Sequence, residues 1–504
     1  GATFSSMTMD AQTGEVSGAS VQIGDPITEK GLIDVIVRAR DAELYNDITD
    51  CGAGGLSSAA GEMASVIGAD IELQDVRLKY PGLAPWEIWL SEAQERMVLA
   101  VAPEKLPALQ ELCDTFNTEL TDIGVFTGDG KLIVRYGGKT VLELENEFLH
   151  EGIPQRQLKA VIGNEKEEMS NEKRISQQLV SGQLLSLLSH PNIASKAATI
   201  RIYDHEVQGG TVVKPLTGVE ADAPSDATVL KPIGARGSKG IVLSNGINPE
   251  YGKHDAYKMA LAVIDEAIRN AVAVGADPAR IAILDNFCWG DPKRPETMGT
   301  LVEACRGCHD GALLFGAPFI SGKDSLNNEY LGADGLRHSI PPTLLISAIG
   351  IIEDVSTAIT MDLKAPGNAL YLVGKLPTSS HPVPDVPAHA PALYHTLHKA
   401  IQQGLVKSCH DLSEGGLSVA AAEMCIGGRL GLELLGSLSP EACFVEANGC
   451  LLAEIEPAAE AAFRALFAGL PLTKIGTVTA EPVLNIAGES IPVANLVTAW
   501  NSLL

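Results

Sequence analysis

Two stretches of this chain repeat each other. Asp50–Met63 reads DCGAGGLSSAAGEM, and Asp411–Met424 reads DLSEGGLSVAAAEM. Nine of the fourteen positions are identical without a gap: the Asp, the Gly pair, Leu, Ser, the Ala pair, Glu and Met. Gly and Ala matches are cheap one at a time. A full run in register is not, and it indicates a duplicated domain rather than two unrelated Gly-rich helix starts. The copies lie 361 positions apart, so 504 residues hold about 1.4 such units. Spacing alone then makes 1–157 the back part of one unit and 362–504 the back part of the next. The region 158–361 has no twin in the chain, and its twin is expected to precede Gly1.

The length fits roughly three domains, and 45% hydrophobic residues suffice for real cores. Three stretches fit the boundaries: the charged Glu165–Lys173, a Pro/Gly-rich loop at Thr211–Ala227, and a Pro-rich loop at Leu376–Pro391. Strand-like runs (Ile241–Ser244, Ile281–Leu284, Leu344–Ile352, Ala369–Val373) alternate with helical periodicity, clearest over Tyr257–Val274. The fold class expected is α/β or α+β.

The net charge of −26, from 37 Lys and Arg against 63 Asp and Glu, repels nucleic-acid phosphate and anionic lipid. Neither nucleic acid nor membrane is therefore an expected partner. The longest apolar run, Thr343–Ile352, is about half of what spans a bilayer. Nine scattered cysteines without an evident secreted framework point to the cytoplasm.

Several motifs have both a functional and a structural reading. In the repeat, an Asp ends a strand-like run and a Gly-rich turn opens a helix. Such a turn can hold phosphate on its N–H groups and Mg²⁺ on the carboxylate, or the Asp can simply cap the helix. Gln22 precedes Asp25–Pro26, a helix-start pair. Glu92 and Gln94 lead into the strand MVLAVA, where alternation would place them on one face. Asp285 is expected at the end of an apolar strand, where ligands collect, or in an Asx turn. Ser321–Glu329, SGKDSLNNE, follows the apolar run ALLFGAPFI, read as a buried strand. It fails the P-loop pattern because Gly316 and Gly322 are one residue too far apart and Asp324 replaces the hydroxyl. Cys305–His309 matches CxxCH, but on a helical run where Cys acts as a small apolar residue. His381, His389, His395 and His398 read as surface histidines, and Gly234–Gly240 as a hairpin turn.

Taken together, NIASKAATIRIYDHEVQGGTVV, VLSNGINPEYGKHDAYKMA, ILDNFCWGDP, LVEACRGC, PFISGKDSLNNEY and the two D…GGLS…AAxEM motifs resemble the phosphoribosylformylglycinamidine synthase family of purine synthesis. The resemblance runs over essentially the whole chain. It implies tandem duplicated A and B domains of the aminoimidazole-ribonucleotide-synthetase kind. Here they would be B1 (1–157, its start truncated), A2 (158–361) and B2 (362–504), with A1 absent. It implies formylglycinamide ribonucleotide contacts at Gln22, Glu92, Gln94 and Ser325, ATP contacts at Asp285 and Gly322, and a Mg²⁺ ligand at Asp50. Lys323 stands where the small form of the enzyme has a metal-binding Asn, which leaves Lys323 and Asp324 open. Asp411 is the counterpart of Asp50 and would line a second, degenerate site, with ADP as a possible structural occupant.

The implied reaction is ATP-driven amidation. ATP phosphorylates the substrate amide oxygen, ammonia attacks the carbon, and phosphate departs. The ammonia would come from a glutaminase domain or subunit. The family's catalytic His lies on A1 in a run resembling SEHCSYK; His205 is only its pseudo-symmetric counterpart on A2. No catalytic residue is therefore assigned, and the chain alone is expected to turn over negligibly. The alternatives are a non-catalytic nucleotide-binding or glutaminase-docking fragment, or another ATP-dependent synthetase of the same superfamily.

Overall fold

A computed structural model describes residues 10, 24–78, 81–152, 154–163, 179–202, 206, 209–377, 381–435 and 439–503. Gln22, His205 and the Glu165–Lys173 stretch lie outside the described residues. The chain divides into two compact units, Gly1–Leu158 with Asn327–Ser339, and Lys159–Leu326 with Ile340–Leu504.

In the first unit the helix Pro26–Asp41 starts where Asp25 accepts from the Ile27 N–H (3.3 Å) and Pro26 occupies the first turn. Its strands are β1 (Asp47–Asp50), β2 (Ala69–Glu72), β3 (Met97–Ala100), β4 (Gly124–Phe126), β5 (Lys131–Tyr136) and β6 (Lys139–Glu145). β1 pairs antiparallel with β3, and a four-stranded sheet runs β4-β2-β5-β6 with β2 parallel to β5. Leu56, Ala59 and Ala60 of the helix Leu56–Met63 join Ile71, Ile88, Trp89, Leu132 and Val134 in its core.

The second unit carries β7 (Thr211–Val213), β8 (Thr228–Leu230), β9 (Gly240–Ile247), β10 (Ile281–Cys288) and β11 (Phe319–Ser325). β12 (Glu329–Leu331) and β13 (Arg337–Ser339) form a hairpin that belongs to the first unit. β14 (Thr343–Ile352) completes a six-stranded sheet, β11-β10-β14-β9-β8-β7. Residues of β14 alternate between buried and half-buried, as a sheet with one covered face requires. The helix Ala256–Ala273 packs in the core with that face; thirteen of its eighteen residues are buried.

The remaining strands are β15 (Ala369–Val373), β16 (Ser408–Asp411), β17 (Gly431–Leu434), β18 (Leu451–Ile455), β19 (Leu472–Thr479), β20 (Val483–Ile486) and β21 (Glu489–Pro492). They form one sheet, β16-β18-β15-β19-β17-β20-β21. Here β16 pairs with β18 as β1 pairs with β3. The run β19-β17-β20-β21 repeats β4-β2-β5-β6, including the one parallel pairing (β17 with β20, β2 with β5). The sequence repeat is therefore embedded in a repeated sheet topology, as duplication requires.

Three local expectations need correction. Asp285 does not end its strand: β10 continues to Cys288, because Asn286, Phe287 and Cys288 pair with Leu345, Leu344 and Thr343. ALLF is not strand but the end of the helix Pro295–Phe315, which stops at Gly316 in the left-handed conformation (φ +65°). His398 is not a surface residue; it is buried on the helix Ala390–Gln402. Among the described residues no helix is long and apolar enough to cross a membrane.

Candidate active site

In both repeat copies the strand ends on the Asp and the helix starts at a glycine pair, with Leu56 after Gly54–Gly55 in the first and with Gly416 itself in the second. Gly54 and Gly55 have φ of +90° and +57°; Gly415 and Gly416 have +79° and +65°. A Cβ on Gly55 would meet the Ser91 carbonyl oxygen at 2.2 Å, and one on Gly416 the Val445 oxygen at 2.4 Å. Both the backbone conformation and the close approach exclude any side chain. The repeated Asp is not the helix cap, since Gly55 and Gly415 hold that position without a side-chain bond. Asp50 Oδ1 instead accepts from the Gly52 N–H (2.8 Å), an Asx turn that leaves this carboxylate exposed.

The carbonyl contacts identify a second repeated turn. Ser91 and Val445 each precede a strand by six residues, so Glu92 and Gln94 correspond to Glu446 and Asn448. Glu92 and Gln94 do not sit on a strand. Glu92 makes a single bridge and Gln94 lies in the turn before β3, where Glu95 takes φ +57° and its Oε1 accepts from the Asp25 N–H (3.0 Å). Glu95, which sequence reasoning passed over, thus anchors the residue at the start of the Pro26–Asp41 helix.

In the second copy these positions are occupied by the protein's own side chains. Tyr251 donates to Glu446 (2.6 Å), and Arg269 Nη1 donates to Asn448 Oδ1 (3.4 Å). Arg269 Nε donates to Asp411 Oδ2 (3.0 Å), Nη1 to Asp265 Oδ2 (2.5 Å) and Nη2 to the Leu412 carbonyl (3.1 Å). The Arg269 and Asp265 side chains are 3% and 0% exposed, so the guanidinium is a buried, fully engaged counter-ion. The cavity that remains, lined by Glu266, Arg269, Glu414 and Asn448 among others, has about 10 Å³ of free volume, enough for about one water. Burial pushes Glu266 up to about 8 and Glu414 up to about 7. Beside them, burial opposes charge on His410, but Asp226 and Glu423 outweigh it and raise its pKa well above the usual histidine value.

On the six-stranded sheet, Asp285 and Gly322 are parallel register partners. A Cβ on Gly322 would meet both Asp285 carboxylate oxygens, at 2.5 and 2.7 Å. Burial raises the Asp285 pKa, countered by a hydrogen bond from the Lys323 backbone. One residue on, Lys323 Nζ donates to Ser325 Oγ (2.7 Å). Alternation along the strands sends the Asp285 side chain to one face and Lys323 with Ser325 to the other. The structure thus joins the sequence-derived residues as two pairs flanking edge strand β11, and leaves Asp324 exposed. In the CxxCH run, Cys305 and His309 are exposed, while Cys308 is buried and its thiol is pushed up to about 12 by burial.

Comparison with known proteins agrees with the duplicated plan. The family model for the AIR synthase related protein C-terminal domain matches residues 1–137 and again 363–488; the N-terminal domain model matches 224–352. Phosphoribosylformylglycinamidine synthase subunit PurL of Thermoplasma volcanium is 31% identical over 99% of this chain and 68% of its own length. That of Deinococcus radiodurans is 32% identical over 100% of this chain and 70% of its own length. The chain therefore spans about two thirds of these relatives. Thermotoga maritima PurL, solved with FGAR and with ATP, has the same fold: TM-scores are 0.66 and 0.64, at 22% identity over 94% of this chain and 70% and 69% of that one. With its two C-terminal-type domains, the intervening N-terminal-type domain and homology along its length, this chain belongs to the phosphoribosylformylglycinamidine synthase subunit PurL family.

Proposed function

We propose that this chain forms the B1 (1–157), A2 (158–361) and B2 (362–504) parts of an ATP-dependent phosphoribosylformylglycinamidine synthase. It joins formylglycinamide ribonucleotide and glutamine-derived ammonia at the expense of ATP, a C–N ligation in cytoplasmic purine synthesis. One observation carries this reading. The two copies of the Asp–Gly turn differ in access: Asp411 is sealed by Arg269, whereas Asp50 is exposed. A duplicated binding turn that has kept one open copy and filled the other is what a working site beside a structural one looks like.

Roles follow from the local chemistry. Glu446 accepts from the Tyr251 hydroxyl in the sealed copy; by that correspondence Glu92, with Gln94 beside it, would accept from substrate hydroxyls in the open one. Asp50, exposed and fixed by its Asx turn, fits a Mg²⁺ ligand. Bound Mg²⁺ would offset charge on the transferring phosphoryl group. Asp285 and the side-chain-free Gly322 make a close-approach position for nucleotide. Lys323 brings a positive charge to the position of the metal-binding Asn and holds Ser325 for substrate. The second copy reads as structural, with the Arg269 guanidinium and a one-water cavity where ADP was expected.

The uncovered face of the six-stranded sheet supports a further domain. Leu243 (40% exposed) and Ile247 (44%) lie there with half-buried Leu284, Leu345 and Ile349. An A1 domain carrying the catalytic His would cover this face, and a glutaminase would deliver ammonia. Binding of formylglycinamide ribonucleotide and ATP by calorimetry tests the reading: D50N and D285A should each lose at least tenfold in affinity, and D411N should not. Turnover with ammonia by the isolated chain would overturn the need for A1; equal binding by all three variants would overturn the site.

A further inference from the structure

The turn before β3 contains a residue that its own backbone disfavours. Glu95 takes φ +57°, a left-handed conformation that is uncommon for any residue with a side chain. Counted from Ser91 and Val445, the equivalent residue of the second copy is Gly449, at φ +68°. The turn thus suits glycine, and one copy has it. A strained residue kept where glycine would serve points to a task for its side chain.

That side chain makes a tether. Glu95 Oε1 accepts from the Asp25 N–H (3.0 Å). Gly24 leaves room for the carboxylate, since a Cβ there would lie 2.9 Å from the same oxygen. Asp25 in turn starts the Pro26–Asp41 helix, accepting from the Ile27 N–H and from the Thr28 hydroxyl (2.8 Å). Beside Glu95, Arg96 Nη2 donates to the Ser91 carbonyl (3.2 Å), and the Arg96 carbonyl accepts from the Cys51 N–H (3.2 Å). Glu95 and Arg96 therefore tie the segment carrying Glu92 and Gln94 to the helix start and to the residue after Asp50. The sealed copy is held differently: the Gly449 N–H donates to Asp265 Oδ2 (2.9 Å) on the helix Ala256–Ala273.

We propose that Glu95 is a positioning residue for substrate. Its carboxylate holds Glu92 and Gln94 against the Gly24–Asp25 backbone in the geometry that formylglycinamide ribonucleotide requires, and it acts through those two residues. The inference rests on the reading of Glu92 and Gln94 as substrate contacts.

The experiment compares E95G, E95Q and E92A in the full chain. E95G copies the second turn, removing strain and carboxylate together. Its unfolding temperature should equal or exceed the parent's, because glycine accepts the left-handed backbone. Amide exchange over Gly24–Ile27 should speed up. Affinity for formylglycinamide ribonucleotide, by calorimetry, should fall about 10- to 100-fold, with ATP affinity unchanged. E95Q keeps an oxygen for the Asp25 N–H and should restore slow exchange and most of the affinity. A purely structural role would instead lower the unfolding temperature of E95G and weaken both ligands together, which would overturn the proposal. So would parental substrate binding by E95G where E92A has lost it. E92A binding like the parent would refute the substrate site on which the proposal rests.

Discussion

A Cβ on Gly322 would fall 2.5 Å from Oδ1 of Asp285, its neighbour across the β10–β11 pairing. The two residues expected to contact nucleotide are thus one unit: the glycine exists so that the carboxylate can stand upright beside bare backbone.

G322A should therefore act on binding before stability. The added methyl displaces the Asp285 carboxylate, and position 322 is exposed, so little packing is lost. ATP affinity, read by calorimetry, is expected to fall at least tenfold, about 1.4 kcal/mol. The unfolding temperature should move by no more than a few degrees. G322A binding ATP like the parent would remove Asp285 from the site.

The glycine pair of each repeat makes a stability prediction. G55A and G416A each place a side chain in the left-handed region and against a carbonyl oxygen at 2.2 and 2.4 Å. Strain and overpacking together should cost about 2–5 kcal/mol in each. G416A, buried in the larger core, should be the worse of the two. Urea unfolding monitored by circular dichroism measures both.

How much of this was legible in the sequence follows from what is local. The strand–turn–helix around Asp50 and Asp411 was readable because Asp, glycine pair and apolar helix face are neighbours in the chain. The second repeated turn was not. The copies are 361 residues apart at the Asp but 354 apart at Ser91 and Val445, so a gapless comparison loses Glu446 and Asn448. Asp285 followed by Asn looks like a strand end, and pairing with distant partners, β11 on one side and β14 on the other, keeps the chain extended. Arg269 reads as one more polar residue on an amphipathic helix; its role depends on Asp411, 142 positions away.

Stability should fall as pH rises from 5 to 8. Burial lifts the folded-state pKa of Glu266 to about 8 and of Glu414 to about 7, from an ordinary 4.5. Above pH 4.5 the unfolded chain has released protons that the folded chain still holds. Each carboxyl then costs about 1.4 kcal/mol per pH unit until its folded value is passed. E266Q, neutral at every pH, should flatten the slope of unfolding free energy across this window. A slope unchanged in E266Q would show that Glu266 is ionised in the folded protein at neutral pH.

Removing Arg269 tests whether the sealed copy is a structural element held by one cation. R269A deletes the counter-ion of Asp265 and Asp411, both buried, and frees the Leu412 carbonyl. Breaking a buried pair by removing one partner costs about 3–5 kcal/mol, because the remaining charge stays desolvated. R269K keeps the charge but lacks the planar fork that reaches Asp265, Asp411 and Leu412 together, so it should recover only part of the loss. D411N in the R269A background should also recover part, since one uncompensated charge disappears. That rescue separates electrostatics from packing: a cavity effect would leave D411N without benefit. Denaturant midpoints of the four proteins measure this, and equal stability of R269A and the parent would show that Arg269 does not hold the turn.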